Sequence, residues 1–69
     1  MIYVFKTTVR NKQAAKKLQP YLDNLLKNAK WNFDLSDCDK ILRIDSYENI
    51  ILEVTRLLKN HHFICKELD

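Results

Sequence analysis

Residues 2–9 read Ile-Tyr-Val-Phe-Lys-Thr-Thr-Val, and this run decides the fold because β-branched and aromatic residues dominate it. A stretch of this kind, without glycine or proline, predicts a β-strand. Successive side chains of a strand point to opposite faces. One face carries Tyr3, Phe5, Thr7 and Val9, and the other carries Ile2, Val4, Lys6 and Thr8. We expect the face with the two aromatic residues to pack against the core.

An amphipathic helix is predicted directly after this strand. Apolar residues recur at helical spacing between Ala14 and Ala29, and lysines occupy positions on the opposite side. Asn11 can cap the helix because its side chain can accept from the free backbone N–H groups of the first turn. Pro20 removes one backbone hydrogen bond from the helix interior, at a cost of about 3 kcal/mol. Because the apolar stripe keeps its phase across Pro20, we predict one kinked helix and not two.

Two further strands are predicted to form a hairpin. Residues 31–35, Trp-Asn-Phe-Asp-Leu, alternate strictly between apolar and polar, which is typical of a half-buried strand. Residues 36–39 have the composition of a turn. Residues 40–45 then form the next strand, with Leu42 and Ile44 facing inward.

A second helix and a last strand complete the pattern. Apolar residues recur at helical spacing between residues 50 and 58. The residues before them suggest a capping box, with Asp45 or Ser46 as the cap and Glu48 or Asn49 as its partner. Asn60 or one of the two following histidines ends the helix, because the chain has no glycine to do so. Residues 63–68 form the last strand.

The predicted order of elements is therefore βαββαβ. Right-handed crossovers would place both helices on one face of the sheet. We expect an α+β, ferredoxin-like sandwich with a four-stranded antiparallel sheet in the order 4-1-3-2. The 69 residues allow one domain, spanning residues 1–69.

The charge of the chain is unevenly distributed. The net charge is +3, but residues 6–30 hold seven basic residues and one acidic residue, whereas residues 31–69 hold five basic and eight acidic ones. The basic residues Arg10, Lys12, Lys16 and Lys17 cluster at the start of the first helix. Such a cluster suits an acidic partner or a phosphate backbone, although a solvated helix face would have the same composition.

The N-terminus and the cysteines bear on the compartment. The apolar run at the N-terminus is too short for a signal peptide or a membrane span, so we expect a cytoplasmic protein with no membrane association. Two cysteines, Cys38 and Cys65, are too few for a disulfide scaffold. In the predicted sheet they lie roughly 14 Å apart. A disulfide needs Cα atoms within about 7 Å of each other, so we expect no bond between them.

Several segments carry a family resemblance. They are Val4–Val9 followed by a polar loop and Ala15–Pro20, then Trp31–Leu35 with Asp39–Ile44, and finally Leu57–Phe63. Together they resemble the heavy-metal-associated, copper-chaperone-like domains over essentially the whole chain. The resemblance implies a ferredoxin-like fold with a metal-binding C-x-x-C loop before the first helix.

The metal-binding motif of that family is missing here. When the sequences are aligned on Pro20, the two family cysteines correspond to Asn11 and Ala14. Monovalent copper needs thiolate ligands, which an amide and a methyl group cannot replace. Lys12 would also place a positive charge beside the ion. We therefore expect no metal at Asn11 and Ala14, and a degenerate metal loop.

A different metal site is an alternative. His61, His62 and Cys65 are close in sequence, and histidine with cysteine suits zinc or copper. These residues also have simpler structural explanations. Cys65 can pack as a small core residue, and the histidines can occupy the C-terminal end of the second helix.

The outer face of the sheet is a candidate for self-association. It is expected to carry Ile2, Val4, Ile41 and Ile64, together with Leu68 and several basic residues. A contiguous apolar patch often marks an interface, although scattered surface aliphatic residues are also common.

The leading hypothesis is a non-enzymatic interaction or regulatory module. The sequence has no glycine-rich phosphate loop, nucleophile elbow or catalytic triad spacing, so we expect no enzymatic activity. We expect a protein partner with an acidic surface, or a homodimer, and no cofactor. The alternative is a metal-binding or metal-transport protein that uses copper or zinc. Nucleic-acid binding through the basic helix is a third alternative, disfavoured because residues 40–45 contain no aromatic residue for base stacking.

Overall fold

The computed structural model describes residues 1–36 and 38–68. Asp37, which falls in the predicted turn at residues 36–39, lies outside the described residues. The elements in chain order are β1 Ile2–Thr7, α1 Lys12–Leu25, β2 Lys30–Asp34, β3 Ile41–Asp45, α2 Ile51–Asn60 and β4 Cys65–Leu68. The predicted α+β class and the predicted order of elements are confirmed.

The four strands form one antiparallel sheet in the order β2-β3-β1-β4. Read from the β4 edge, this is the order 4-1-3-2. Strand β1 lies inside the sheet, between β3 and β4, and the edges are β2 and β4. Strand β1 therefore pairs with two strands that are distant from it in sequence.

The register of the strands defines two faces of the sheet. Phe5 pairs with Leu42, and Leu42 pairs with Phe33, so these three side chains share one face. Tyr3 and Ile44 lie on the same face, as the period of the sequence predicts, and both are buried. This inner face supplies the sheet's part of the core.

Both helices contribute to the same core. Leu18 and Leu22 of α1 and Val54 and Leu58 of α2 are at most 1% exposed and belong to one buried cluster with the inner face of the sheet. Full burial of an aliphatic or aromatic side chain contributes about 1.5–3 kcal/mol relative to leaving it in water. The apolar stripes predicted for the two helices are therefore the surfaces that hold them to the sheet.

Helix α1 begins at the predicted cap but ends at Leu25, four residues before Ala29, the last apolar residue of the predicted stripe. The side chain of Asn11 accepts a hydrogen bond from the backbone N–H of Ala14 at 2.9 Å, which satisfies one free donor of the first turn. The helix runs unbroken through Pro20, whose side chain is exposed. Because Pro20 faces solvent, water can reach the carbonyl that its missing N–H leaves unbonded.

Helix α2 begins later than predicted, so the proposed capping box at Asp45 or Ser46 is wrong. The backbone N–H of Ser46 donates to the carbonyl of Met1 at 2.9 Å, which extends the pairing of β1 with β3 beyond Asp45. The Ser46 hydroxyl instead accepts from the N–H of Glu48 within a turn. The helix starts at Ile51. The backbone N–H of Ile51 donates to the side chain of Asn49 at 3.1 Å.

Three strands are shorter than predicted. Strand β1 ends at Thr7 and not at Val9, whose N–H donates to the hydroxyl of Thr7 at 3.2 Å. A residue with positive φ lies before each of the other two, β3 and β4. Lys40 has φ 51°, outside the β region, so β3 starts at Ile41. His62 has φ 69° and follows His61, the C-cap of helix α2. Strand β4 begins at Cys65, because the N–H of Phe63 still bonds back to the carbonyl of Leu58 in α2.

His62 is the residue that terminates α2. Its N–H donates to the carbonyl of Lys59 at 3.0 Å, and the N–H of Phe63 donates to the carbonyl of Leu58 at 2.8 Å. These two bonds, together with the left-handed conformation of His62, form a Schellman motif. Glycine usually occupies that position, and histidine there incurs a steric cost between its Cβ and the backbone.

We predict that His62→Gly stabilises the protein by about 1 kcal/mol because it relieves this steric cost. The measurement is the urea concentration at the midpoint of unfolding. His61→Gly is the matched control: His61 has φ −100°, so the substitution gains nothing and loses the contact of its ring with Tyr21. An unchanged or lower midpoint for His62→Gly would contradict the assignment.

Candidate functional site

The two positions that correspond to the family cysteines lie together at the start of α1. Asn11 precedes the helix, and its side-chain oxygen contacts the N–H of Ala14. The side chain of Asn11 thus folds back over the first turn of the helix, to the backbone of Ala14. The chemistry of this loop differs from that of a metal-binding loop, because the Asn11 oxygen serves as a helix cap and Ala14 offers only a methyl group. At these positions the loop stabilises the helix and presents no thiolate.

His61 and His62 take structural positions at the end of α2. The ring of His61 contacts the ring of Tyr21 with a centroid distance of 4.4 Å, which joins the end of α2 to α1. His62 is exposed and is held in the left-handed conformation of the Schellman motif. Both residues thus have local explanations that require no metal ion.

Cys65 is the first residue of β4 and pairs with Thr7 of β1. Its side chain belongs to the core cluster and is 8% exposed. Burial raises the pKa of the Cys65 thiol from 9.0 to about 12, because the charged thiolate is poorly solvated there. Metal binding requires the thiolate. At neutral pH the free-energy cost of deprotonating this thiol would therefore weaken metal binding.

The alternative metal site would need His61, His62 and Cys65 to lie close together. Within residues 1–36 and 38–68, no three side chains of His, Cys, Asp or Glu form a group that could hold a metal ion. The structure therefore does not bring His61, His62 and Cys65 together as a ligand set among the residues that it describes. Cys38 is exposed, and neither cysteine forms a disulfide.

The two thiols are predicted to differ sharply in reactivity. In folded protein, iodoacetamide should alkylate Cys38 rapidly and Cys65 only slowly, because Cys38 is exposed whereas Cys65 is buried and protonated. Mass spectrometry of tryptic peptides measures both rates, and urea-unfolded protein is the control in which both should react. Equal rates in folded protein would show that Cys65 is accessible.

The same shift predicts how stability depends on pH. The thiol of the unfolded chain loses its proton near pH 9.0, whereas the folded chain keeps it up to about pH 12. Between these values the unfolded state binds fewer protons, so the free energy of unfolding falls as pH rises. Chemical denaturation of wild type and Cys65→Ala should show this slope in the wild type and a smaller slope in the variant.

The four basic residues singled out in the sequence are all exposed, and together they are here called the basic surface: Arg10, Lys12, Lys16 and Lys17. Lys12 and Lys16 are one helical turn apart, on the same side of α1. Like charges at this spacing destabilise a helix by about 0.2–0.5 kcal/mol. None of the four forms an ion pair with another described residue. The basic surface is therefore available to an external anion.

The outer face of the sheet offers less apolar surface than predicted. Ile2 and Ile64 are 62% and 70% exposed, and Val4 is half-buried. Ile41 is only 6% exposed, so its expected role in self-association is wrong. Lys6 pairs with Ile41, and its ammonium group lies 3.5 Å from Asp39, so the methylene stem of Lys6 shields Ile41 from water.

The charges on the outer face also oppose a symmetric dimer. The register places four basic residues there, Lys6, Lys30, Arg43 and Lys66, against the two acidic residues Asp34 and Asp45. A two-fold interface brings identical surfaces together. Such an interface would therefore bring two positive faces into contact.

The structure shows a groove between α1 and β2 that the sequence did not reveal. It has a volume of about 390 Å³ and is lined by Lys12, Ala15, Lys16 and Gln19 from α1 and by Trp31, Phe33, Asp34, Leu35 and Ser36 from β2 and the residues after it. We call it the α1–β2 groove. The strict alternation of Trp31, Phe33 and Leu35 was the available signal, but it predicted only a half-buried strand with these residues on one face.

The aromatic wall of the α1–β2 groove is held in place by two interactions. The indole N–H of Trp31 donates to a carboxylate oxygen of Asp23 at 3.0 Å. The rings of Trp31 and Phe33 meet edge to face, with centroids 5.8 Å apart and an interplanar angle of 82°. Both rings are only partly buried, so they present fixed apolar surface to the groove.

Comparison with known proteins supplies no relative. No protein-family profile, curated protein or solved structure matches the chain. Among the described residues, no helix is both long enough and apolar enough to cross a membrane. The function must therefore be argued from the surfaces themselves.

Proposed function

We propose that this protein is a non-enzymatic interaction module with a heavy-metal-associated-like, ferredoxin-like fold and a degenerate metal loop. It docks an acidic protein partner through the basic surface. The observation that carries the proposal is the set of four exposed cations at the start of α1, none of them in an ion pair with a described residue. A surface of one charge sign attracts a partner of the opposite sign and orients the encounter.

The fold supports the family part of the proposal. The βαββαβ order, the antiparallel sheet and one core shared by both helices are the features expected of a ferredoxin-like sandwich. In this proposal the loop before α1 corresponds to the metal loop of the resembled family. There the contact between Asn11 and Ala14 substitutes a helix cap for a pair of ligands.

The non-enzymatic part rests on where the reactive side chains lie. Cys65 is buried and protonated in the core, and His62 is fixed by its role at the helix end. His61 is engaged with Tyr21. Each of these residues therefore has a structural role at a different place. Catalysis would need reactive side chains that point to one substrate position.

The docking proposal predicts that Lys12→Glu/Lys16→Glu abolishes partner binding, because the variant turns attraction into repulsion. The measurement is quantitative mass spectrometry of proteins that co-purify with the tagged chain from the cells that make it. Lys27→Glu/Arg56→Glu is the matched control: it changes the net charge equally, at exposed positions outside the basic surface.

Wild type and control should retain the same acidic protein, and raised salt should release it, because exposed charges are screened. Retention of that protein by Lys12→Glu/Lys16→Glu, with circular dichroism showing that the variant is folded, would contradict the proposal. So would the absence of any protein specific to the wild type.

The family proposal predicts that Asn11→Cys/Ala14→Cys creates a Cu(I) site, because it restores two thiolates at the C-x-x-C spacing and the side chain at position 11 already reaches the backbone at position 14. Loss of the Asn11 cap should destabilise the metal-free variant by about 1 kcal/mol. The measurement is competition with a chromogenic Cu(I) chelator under reducing conditions, and Asn11→Cys alone is the control. A folded double variant that binds Cu(I) no better than the control would contradict the resemblance.

A further inference from the structure

The two edges of the sheet differ in how they are protected. Strand β4 has four residues, and Glu67 pairs with Phe5 on the inner face, which places a charge on the helix side of that edge. Short edge strands and inward charges discourage the addition of another strand. Strand β2 has five residues, and the same face of it carries Trp31 and Phe33. The charged residues of β2, Lys30 and Asp34, lie on the opposite face, so no charge protects its helix side.

The α1–β2 groove lies beside the uncharged helix side of this edge. Ala15 and Gln19 of α1 line one side of it, and Trp31, Phe33 and Leu35 line the other. Its volume of about 390 Å³ falls in the range of ligand-binding clefts. Because Trp31 and Phe33 are held by their contacts with Asp23 and with each other, the groove is preformed for a bulky apolar side chain.

The charges at the groove select for an anionic ligand. Lys12 and Lys16 line its helical side, and neither forms an ion pair with a described residue. Asp34 lines the opposite side, where it accepts a hydrogen bond from the Ser36 hydroxyl at 2.7 Å. An apolar floor with two lysines at its rim matches a segment that alternates apolar and acidic side chains.

We infer that the α1–β2 groove binds an extended acidic peptide of the partner, which adds as a strand to the outer edge of β2. A bulky apolar side chain of that peptide packs on Trp31 and Phe33, and neighbouring carboxylates lie near Lys12 and Lys16. Main-chain hydrogen bonds supply affinity in this mode, and alternate side chains supply specificity. This inference rests on the proposed function and names the part of the acidic partner that is recognised.

A second copy of this chain fits the groove less well. Two-fold pairing of β2 with β2 would place both α1 helices on the same side of a continuous sheet. The lysines at the two groove rims, Lys12 and Lys16 of each copy, would then face one another. An acidic peptide removes that repulsion, so a different protein is the favoured occupant.

The test begins with a displayed library of random peptides, selected on the immobilised wild-type protein. The selected sequences should alternate bulky apolar and acidic residues. In ¹⁵N-labelled protein, the best synthetic peptide should shift the indole N–H signal of Trp31 and the amide signals of β2. Ala15→Met, which fills the groove without changing its charge, should weaken binding about tenfold, or 1.4 kcal/mol. Gln13→Met, at an exposed position of α1 outside the groove, is the control.

Strand addition can also be tested by modifying the backbone of the peptide. Only every second residue of a strand bonds to a given neighbour. N-methylation of one alternate set of peptide amides should therefore abolish binding, and methylation of the other set should not. If both methylated peptides bind and the β2 signals do not move, the inference is overturned.

Two outcomes separate this inference from the proposed function. If acidic peptides bind with dependence on Lys12 and Lys16 but without effects at β2 or from Ala15→Met, the inference fails and docking through the basic surface stands. If no selected peptide is acidic, both fail. A wild-type dimer in sedimentation, with β2 amides protected from exchange, would assign the groove to a second copy and overturn the inference.

Discussion

Burial of Phe5 against Leu42 is the interaction on which the rest of this structure depends. Phe5 lies in β1, inside the sheet, and both side chains are fully buried. Because β1 pairs with both β3 and β4, this contact ties the two halves of the chain into one sheet. Leu18 and Leu22 of α1 belong to the same buried cluster, so the position of that helix also depends on it. The basic surface and the α1–β2 groove exist only because α1 is held there.

Helix α1 combines a structural and a functional surface. Its buried side fixes it to the sheet, while Lys12 and Lys16 on its exposed side line the groove beside β2. Asn11 stabilises its first turn at the position where the resembled family carries a metal ligand. A cap and a methyl group stand, in our proposal, where the resembled family has its ligand pair, and the helix keeps its place without a metal ion. In our proposal, recognition has passed from a bound ion to a charged surface.

Most of the scaffold could be predicted because short-range periodicity encodes it. The alternation in β1 correctly placed Tyr3 and Phe5 inward, and the Asn11 cap follows from its position before an apolar stripe. Features that depend on contacts between distant residues were missed. The start of α2 is shifted because the N–H of Ser46 bonds to the carbonyl of Met1. The burial of Ile41 depends on the path of the Lys6 side chain across a neighbouring strand.

The candidate site was predictable only in part. The basic cluster is visible in the sequence because its members are close together. The groove depends on how far α1 covers β2, which no local pattern records. Half-burial of Trp31 and Phe33 is the result of that packing.

Titration of ¹⁵N-labelled protein with Cu(I) and Zn(II) under reducing conditions decides most directly whether function lies in a surface or in a metal site. A surface function predicts that, at one equivalent of either ion, the signals of His61, His62 and Cys65 do not move. Tight stoichiometric binding that shifts these signals, and that is lost in both Cys65→Ser and His62→Ala, would contradict it.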